Sequence, residues 1–465
     1  MADSNPEGAV SRRSFLRKAG TAAAIVGGTG MIGLGPVLGA RVRAGEQVGR
    51  GQHTLAKAHD VTVPQRWIGV LYDATQRQNI TPTAAARGYA YAGVALYQAV
   101  LGGMPGYLSL AGQLNGLSPT PKADLSKRYD WPTAANAALA TVVTRLFPTP
   151  LAQTTNEIAA LRTTIRAERA AVVEASVLTR SVVHGEAVAA AIMDWADADG
   201  LSVIRALPTY VPPTGPDKWV STPPNFGPAI EPYWGQMRPF ILPSADACFP
   251  DAHIAYDETP GSAFHQQAMH VRAVSQALTD EQRFIAMFWR DNPLTSGLPA
   301  GHWFVIANQL ADQLSLKLDD AAEMYARLGV ALADAFISCW HGKYVYNLLR
   351  PVTYIQRFIE PTWASWVNTP QFPEFTSGHS VASQAAAVVL TDLFGEVAFT
   401  DTHRLTVPPS AGTRHHASFQ SAAAEAATSR LYGGIHYPMG IEVGMAQGLK
   451  LGNIVLERLR TLKDA

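Results

Sequence analysis

Apolar residues recur at the three- and four-residue spacing of amphipathic helices along most of the chain. One such stretch begins at Thr81-Pro82-Thr83, a favourable helix start, and continues into an Ala-rich run. No stretch alternates apolar and polar residues between turn signals for long, so we expect few or no strands. The pattern predicts helices over residues 81–101, 132–147, 151–177, 179–198, 262–277, 279–290, 301–315, 319–349, 378–395, 417–432 and 438–461.

A proline-rich segment separates two groups of predicted helices. Residues 207–261 contain 12 of the 31 prolines, a density at which helices cannot continue. Trp219 and Trp234 in this segment need a surface to pack on, so we expect an ordered connector. The predicted fold is all-α, with two four-helix-type bundles packed together. The N-terminal bundle would span 45–206, and the C-terminal bundle, carrying the functional site, would span 262–465.

The N-terminus has the pattern of a twin-arginine export signal over residues 1–44. Arg12 and Arg13 precede a weakly apolar, uncharged stretch from Ala19 to Ala40. A membrane anchor is the alternative, but the many glycines in this stretch make a poor membrane span. Since no run of about 18 apolar residues follows residue 45, we expect a mature protein that does not span the membrane. Its expected location is periplasmic or secreted.

Composition narrows the classes of function. The 465 residues include 37 Lys and Arg and 37 Asp and Glu, so the formal net charge is zero. We therefore do not expect a nucleic-acid-binding protein, which usually carries an excess of basic residues. The chain has two cysteines, Cys248 and Cys339, whose wide separation favours two separate buried thiols over a disulfide.

Two cations stand out on one predicted helix. Lys343 and Arg350 are seven residues apart, or two helical turns, so they share a helix face with Trp340. Pro351 marks the end of that helix. Burying two cations on an otherwise apolar helix is costly unless an anion is present. The alternative is a solvated helix surface that needs no ligand.

The sequence Ser377-Gly378-His379 directly precedes an apolar helical run. Amides at a helix start have no intrahelical partner and, with the helix dipole, attract anions. Gly378 allows a ligand close to the backbone, and Ser377 supplies a hydroxyl. His379 can give or take a proton near neutral pH. The alternative is a simple helix cap followed by an exposed histidine.

A third group follows later in the chain. Arg430 ends a helical pattern, and His436 stands two residues before Pro438, at the expected start of the last helix. A core histidine bonded to the backbone is the alternative for His436. With Lys343 and Arg350, these residues match the charge and the oxygens of a tetrahedral oxyanion. One histidine could bind or attack its central atom while another handles protons.

The ordered set K-x6-RP, SGH and SR-x5-H resembles the signature of the vanadium-dependent haloperoxidases and of the related type 2 phosphatidic-acid phosphatases and bacterial acid phosphatases. The stretches TDEQRFIAMFW at 279–289 and DAFISCWHGKY at 334–344 are similar to the bacterial haloperoxidase branch. The resemblance implies that His436 is the axial vanadium ligand, that His379 is the acid–base residue and that Lys343 polarises hydrogen peroxide. The residues implied to bind the vanadate oxygens are Lys343, Arg350, Ser377, Gly378 and Arg430, and those implied to line the halide side are Trp340 and Phe372.

The function implied by this resemblance is oxidation of a halide by hydrogen peroxide to hypohalous acid at a histidine-ligated vanadate. A small organic acceptor and a homodimer are left open. Phosphate has the shape of vanadate and is expected to fit the same site. An exported acid phosphatase in which His436 forms a phosphohistidine is therefore the first alternative. A non-catalytic oxyanion-binding protein is the second, although it gives His379 no purpose.

Two departures from the family pattern bear on this interpretation. Thr376 stands where a proline often precedes Ser-Gly-His, a minor change because threonine can cap a helix. Gly440 stands where an acidic residue often follows the last histidine. The group that would orient His436 must then come from elsewhere, and the expected substitute is Glu442 or a backbone carbonyl.

A separate group of histidines raises the question of a metal site. His403 and the run Arg414-His415-His416 lie close in sequence. Adjacent histidines point apart in a strand or helix, and no cysteine or acidic ligand stands at a usual metal-site spacing. We therefore expect this stretch to form a surface loop.

Overall fold

The computed structural model describes residues 54–250, 252–405 and 411–463. The predicted export signal, residues 1–44, lies outside these ranges. Helices dominate the described chain, and its one sheet has two strands. The all-α prediction with few strands is confirmed. The boundaries of the two predicted bundles stay a prediction.

Six α-helices precede the connector in the described chain. They are α1 (Thr62–Arg77), α2 (Pro82–Val100), α3 (Trp131–Leu146), α4 (Ala152–Ala170), α5 (Ala175–Asp197) and α6 (Leu201–Arg205). A side-chain cap starts α2, as the sequence suggests. The Thr81 hydroxyl accepts a hydrogen bond from the Ala84 amide at 3.4 Å, and Pro82 occupies the first turn of α2.

Eight further α-helices follow the connector. They are α7 (Ala263–Gln276), α8 (Asp280–Phe288), α9 (Leu298–Gln313), α10 (Leu318–Tyr346), α11 (Pro351–Phe358), α12 (Gly378–Phe394), α13 (Phe419–Tyr432) and α14 (Pro438–Arg458). A hairpin separates α12 from α13, and it consists of β1 (Phe399–Arg404) and β2 (Ala411–His416). Short 3-10 turns occupy Ala56–Ala58, Leu101–Gly103 and Trp234–Gln236.

Every predicted helical range contains a helix, with ends that differ by a few residues. The prediction for 151–177 extends too far, because α4 ends at Ala170 and α5 begins at Ala175. The prediction for 319–349 also extends too far. There α10 stops at Tyr346, because Asn347 adopts the left-handed conformation with φ of 54°. The prediction that Arg350 shares a helix face with Lys343 is therefore wrong, since Arg350 lies outside α10 and Pro351 begins α11. Helices α1, α6 and α11 were not predicted.

The expectation of a surface loop around His403 and His416 is wrong, because these residues lie in the two strands of the hairpin. Along β1, side chains alternate between buried and exposed, which places His403 inside at 2 % exposure. Phe399 pairs with His416, which is also buried, at 5 % exposure. His415 faces outward and is exposed. The sequence analysis missed this hairpin because its strands are only six residues long.

Helix α10 is central to the fold, since it packs against α2 from the N-terminal half and against α12 from the C-terminal half. Glycine makes the first contact close. A Cβ atom added at Gly93 would lie 2.4 Å from the carbonyl oxygen of Tyr325, and one at Gly329 would lie 2.8 Å from the Cα of Ala90. Such close packing gives the α10 side chains a rigid base.

The connector is ordered and is held to α10. The buried Asp334 carboxylate accepts hydrogen bonds from the amides of Phe240, Ile241 and Leu242 at 2.6, 2.8 and 2.9 Å. Trp219 and Trp234 are each 1 % exposed, which confirms that the connector packs on a surface. In its described part the prolines leave little regular structure, namely the 3-10 turn at Trp234–Gln236 and an isolated β-bridge between Lys218 and Leu348.

Two further expectations can be compared with the described residues. Cys248 and Cys339 are free and buried, as predicted. None of the described helices is both long and apolar enough to cross a membrane.

Candidate active site

A cavity of about 440 Å³ lies where α10, α12 and the start of α14 meet the loop after α8. Its wall contains six of the predicted site residues, namely Trp340, Phe372, Gly378, His379, Arg430 and His436. The other three, Lys343, Arg350 and Ser377, are fully buried behind that wall. The fold therefore brings the three sequence motifs together around one cavity.

The hydrogen bonds of His436 determine which of its nitrogens carries the proton. Its Nε2 lies 3.1 Å from Nη1 of Arg350, and its Nδ1 lies 2.7 Å from Oε1 of Glu374. A guanidinium group has no acceptor, so Nε2 must present its lone pair. Nδ1 then carries the proton and donates it to Glu374. This is the tautomer that a histidine needs in order to bind a metal through Nε2.

The expectation that Glu442 orients His436 is wrong, because Glu374 contacts its Nδ1 instead. Glu442 is exposed, whereas Glu374 is fully buried and also accepts a hydrogen bond from the Tyr437 amide at 3.1 Å. Gly440 provides the space for this carboxylate, since a Cβ atom there would lie 2.3 Å from Oε1 of Glu374. Burial raises the pKa of Glu374 to about 7, although Lys343 opposes the rise.

Arg350 supports the same part of the wall. Its Nε donates to the Phe372 carbonyl and its Nη1 to the Ile435 carbonyl, each at 2.8 Å. Its Nη2 is buried and has no hydrogen-bond partner among the described residues. Burial lowers the pKa of Arg350 to about 10, so the group still carries its charge at neutral pH.

Arg430 provides a second guanidinium group from the last turn of α13. Its Nη1 donates to the Trp289 carbonyl at 2.7 Å, while its buried Nε has no partner in the described chain. Burial lowers the pKa of Arg430 to about 9, and the Asp291 carboxylate opposes that shift. A buried guanidinium with a free N–H group is suited to an anion in the adjacent cavity.

His379 has a looser environment than His436. Its Nε2 is buried without a hydrogen-bond partner in the described residues and lies 3.8 Å from Oδ2 of Asp291. Burial and the nearby Arg430 lower the pKa of His379 well below its usual value, while Asp291 acts in the opposite sense. The ring is therefore neutral at pH 7 and able to accept a proton.

Lys343 does not line the cavity. Its ammonium group donates to the carbonyl oxygens of Pro373 at 3.0 Å, of Glu374 at 2.9 Å and of Thr376. These three bonds use its three donors, so Lys343 holds the segment that leads to Ser377. Burial lowers the pKa of Lys343 to about 7.

The start of α12 is arranged partly as predicted. The Ser377 hydroxyl caps the helix by accepting from the Ser380 amide at 3.3 Å, so it turns toward its own helix. The Ser377 amide donates to the Gly440 carbonyl at 2.9 Å. Gly378 lies on the cavity wall. The Thr376 hydroxyl donates to Oε1 of Gln447 at 2.6 Å and does not cap the helix.

Trp340 and Phe372 form an aromatic part of the wall. Their ring centroids lie 4.8 Å apart at an angle of 50°. The Lys343 ammonium lies 5.1 Å from the Phe372 centroid, and the Arg350 guanidinium carbon lies 4.8 Å from it. This apolar surface with buried cations behind it is electrostatically favourable for a small anion.

Two important residues were missed by the sequence analysis. Asp291 and Glu374 place carboxylates beside the two histidines, at 3.8 and 2.7 Å. Glu374 stands three residues before Ser377, which could have drawn attention to it. Asp291 is 88 positions from His379 in the chain and offered no local signal.

The donors around the cavity fit an oxyanion such as vanadate. Nη2 of Arg350 and Nε of Arg430 are buried N–H donors with no partner in the described chain. His436 presents a lone pair beside them, and Gly378 leaves the helix start uncovered by a side chain. Cationic donors together with one nitrogen lone pair match an anion that has a Lewis-acidic central atom.

Comparison with known proteins agrees with this arrangement. The family model of the VCPO second helical-bundle domain matches residues 323–465. The crystal structure of the first bacterial vanadium-dependent iodoperoxidase is 36 % identical, with a TM-score of 0.81; the match covers 87 % of this chain and 98 % of that chain. The chain belongs to the bacterial vanadium-dependent haloperoxidases. Among curated proteins, none matches the sequence.

More distant haloperoxidases share the fold. Crystal structures of holo-type and apo-type bacterial vanadium-dependent chloroperoxidase are 17 % and 16 % identical, with TM-scores of 0.65 and 0.62. These matches cover 83 % and 82 % of this chain and 94 % of each of those chains. Family membership makes this haloperoxidase a peroxidase-type oxidoreductase, and the phosphatase alternative is not favoured.

Proposed function

We propose that this haloperoxidase holds vanadate at His436 and uses hydrogen peroxide to oxidise halide, with iodide as the preferred halide. The observation that carries the proposal is the tautomer of His436. Glu374 and Arg350 together keep its Nε2 unprotonated, and the ring lies on the cavity wall.

Each predicted residue receives a role in this proposal. Arg350 and Arg430 bind oxygens through their free N–H groups, and Gly378 allows the anion to reach the start of α12. Ser377 and Lys343 hold the backbone around that helix start. The Lys343 charge acts on the site from behind the wall, because its three donors are already bonded to carbonyl groups.

His379 handles the protons of the reaction. Oxidation of a halide by hydrogen peroxide consumes one proton and yields hypohalous acid and water, with two electrons passing from halide to peroxide. We assign to Nε2 of His379 the removal of a proton from hydrogen peroxide and its later return to the departing oxygen. When bound, vanadate supplies Lewis-acid activation of hydrogen peroxide without changing its own oxidation state.

Iodide preference is supported by the 36 % identical relative, which is an iodoperoxidase. Iodide is also the easiest of the common halides to oxidise, so its oxidation requires the least oxidising power from the site. Trp340 and Phe372 give this halide a polarisable surface backed by two buried cations. A small organic acceptor would react with the hypohalous acid.

The decisive experiment is reconstitution of the purified protein with orthovanadate, followed by assays with hydrogen peroxide and iodide, bromide or chloride. We expect vanadate-dependent oxidation with the highest kcat/KM for iodide. A parallel assay with a phosphate monoester in the absence of vanadate is the control. Steady ester hydrolysis together with no halide oxidation would overturn the proposal, and a higher kcat/KM for chloride would overturn the iodide preference.

Export by the twin-arginine route is a separate part of the proposal. It is supported by Arg12-Arg13 and the uncharged stretch after them. Fusion of residues 1–44 to a reporter should direct it out of the cytoplasm, and an R12K/R13K fusion should not. Equal export of both fusions would contradict this route.

A further inference from the structure

A buried group of four side chains lies behind His379 and has no role in the mechanism above. Asp291, His302, Asp401 and His403 are all at most 3 % exposed. His302 lies between two carboxylates, with Nδ1 at 2.9 Å from Oδ2 of Asp291 and Nε2 at 2.9 Å from Oδ2 of Asp401. Nε2 of His403 lies 3.0 Å from Oδ1 of Asp291. The four residues form one hydrogen-bonded chain in the order Asp401, His302, Asp291 and His403.

The arrangement does not suit a metal ion, although Asp291, His302 and His403 bring three ligand atoms close together. The two imidazole rings are stacked, with centroids 3.6 Å apart and planes inclined by 2°. Lone pairs in the planes of parallel rings run side by side and do not converge on one ion. The second nitrogen of His302 is also bound to Asp401. The group is therefore a hydrogen-bond network.

The hydrogen bonds point to a positive charge on His302. A neutral imidazole has one N–H group and can donate to only one carboxylate. The imidazolium form donates to Asp291 and Asp401 together. Trp289 stacks on the same ring with centroids 4.3 Å apart, which favours a cation on that face. Although burial opposes the charge, the two carboxylates raise the pKa of His302 to about 10.

Asp291 needs this support because its backbone is strained. It has a positive φ of 44°, and φ is 65° both for Leu294 in the same loop and for Leu298 at the start of α9. Such conformations persist where surrounding contacts impose them. The Asp291 carboxylate is held by His302, His403 and the Ser296 hydroxyl, which donates to it at 2.9 Å. The support thus comes from α9 and from the hairpin.

We propose that His302, held as an imidazolium between Asp291 and Asp401, is a positioning residue for His379. It keeps the Asp291 carboxylate charged and directed at Nε2 of His379, 3.8 Å away. Asp401 and His403 belong to β1, so the hairpin contributes to the acid–base function of His379. The proposal rests on the proposed role of His379 and adds the residues that set its surroundings.

The test compares H302Q and D401N with H415Q as the matched control. His415 lies in the same hairpin but is exposed and outside the network. Glutamine at 302 cannot donate to both carboxylates, and asparagine at 401 removes the outer charge while keeping the shape. We expect kcat for halide oxidation to fall about ten- to hundredfold in H302Q and less in D401N. Vanadate affinity and the KM for halide should be unchanged, as in H415Q.

A spectroscopic measurement tests the same idea without activity. In vanadate-free protein labelled with ¹⁵N-histidine, both His302 nitrogens should be protonated at pH 7 in the wild type, and one should lose its proton in D401N. If H302Q does not fold, D401N still gives both readouts. A neutral His302 in the wild type would overturn the proposal, as would kcat values equal to that of H415Q or one bound equivalent of a divalent metal.

The design separates this proposal from the proposed function. A wild-type protein that takes up vanadate and does not oxidise halide would refute the function. The protonation state of His302 would still be measured in that case. Active wild type with unaffected network variants would refute only the positioning role.

Discussion

The two histidines of the cavity are each accompanied by a buried carboxylate, but in different ways. Glu374 lies 2.7 Å from Nδ1 of His436, in full hydrogen-bond contact. Asp291 lies 3.8 Å from Nε2 of His379, beyond a hydrogen bond. Glu374 is flanked by the cations Lys343 and Arg350. Asp291 is held by an imidazole on either carboxylate oxygen.

This difference matches two different tasks. A residue that binds a metal must present one lone pair at all times, so a tight acceptor on its other nitrogen is an advantage. A residue that moves protons must gain and lose a proton at one atom, so a nearby charge without a fixed bond is better suited. Each histidine is thus paired with a carboxylate, and a difference of about one ångström in the separation distinguishes the two tasks.

The largest effect is expected for H436A. Without the Nε2 lone pair the site loses its only proposed bond to vanadium, so vanadate should no longer be retained after gel filtration. Elemental analysis of the eluted protein measures this directly. H379A serves as the control and should retain vanadate. Full retention by H436A would remove His436 as the ligand.

H379A should have the next largest effect, and this effect should be a slower chemical step. Loss of a general acid–base group lowers rates by about 10²–10⁴-fold. We expect kcat for iodide oxidation to fall within that range while vanadate affinity is kept. Should H379A lose vanadate as well, the division of tasks between the two histidines would be wrong.

A substitution at Glu374 tests more specifically how the tautomer of His436 is fixed. E374Q can donate through its amide to Nδ1 and so favours the wrong tautomer, which should weaken vanadate binding about 10–100-fold. Isothermal titration with orthovanadate measures the affinity, and ¹⁵N shifts of His436 in vanadate-free protein report the tautomer. Unchanged shifts in E374Q would contradict the role of Glu374.

G440A should act in the same direction as E374Q without changing a charge. The added methyl group would lie 2.3 Å from Oε1 of Glu374 and would displace the carboxylate from His436. G69A is the matched control, because a Cβ at Gly69 meets no atom within 4 Å. Equal vanadate affinities for the two variants would show that Glu374 can move without consequence.

The smallest effect concerns protonation of His379 in the vanadate-free protein. Its pKa lies below 6.5 because of burial and Arg430, while Asp291 raises it. D291N removes the raising charge, so the pKa of His379 should fall further. NMR titration of His379 measures the shift, and a pKa above that of the wild type would contradict the assignment.

The sign of the associated stability change follows from the same pKa. The folded pKa of His379 is lower than the unfolded value of 6.5, so the unfolded chain takes up this proton first as pH falls. The contribution of His379 to stability is present above pH 6.5 and is lost on acidification. D291N should make this loss larger, as measured by urea unfolding of the vanadate-free protein at pH 7 and below pH 6.

Local features of the sequence predicted eleven of the fourteen described α-helices and the residue types that could bind an anion. Helix periods and starts are set by neighbours a few positions apart, so Lys343 could be placed on a helix face, and Ser377 and His436 at helix starts, from spacing alone. Arg350 could not, because α10 ends at Tyr346 and Arg350 stands directly before α11. The motif order then indicated one shared site. Only the described structure shows that Lys343 faces three carbonyl groups instead of the cavity.

Tertiary packing decided the residues that control the two histidines. Glu374 reaches His436 across 62 positions, and His302 reaches Asp401 across 99, so no local pattern could reveal either contact. The space for Glu374 comes from Gly440, and the short hairpin that carries Asp401 left no clear period-two signal. The sequence by itself determined which groups could bind an anion. The packing of distant segments decided which histidine is held in one tautomer and which is left free to exchange a proton.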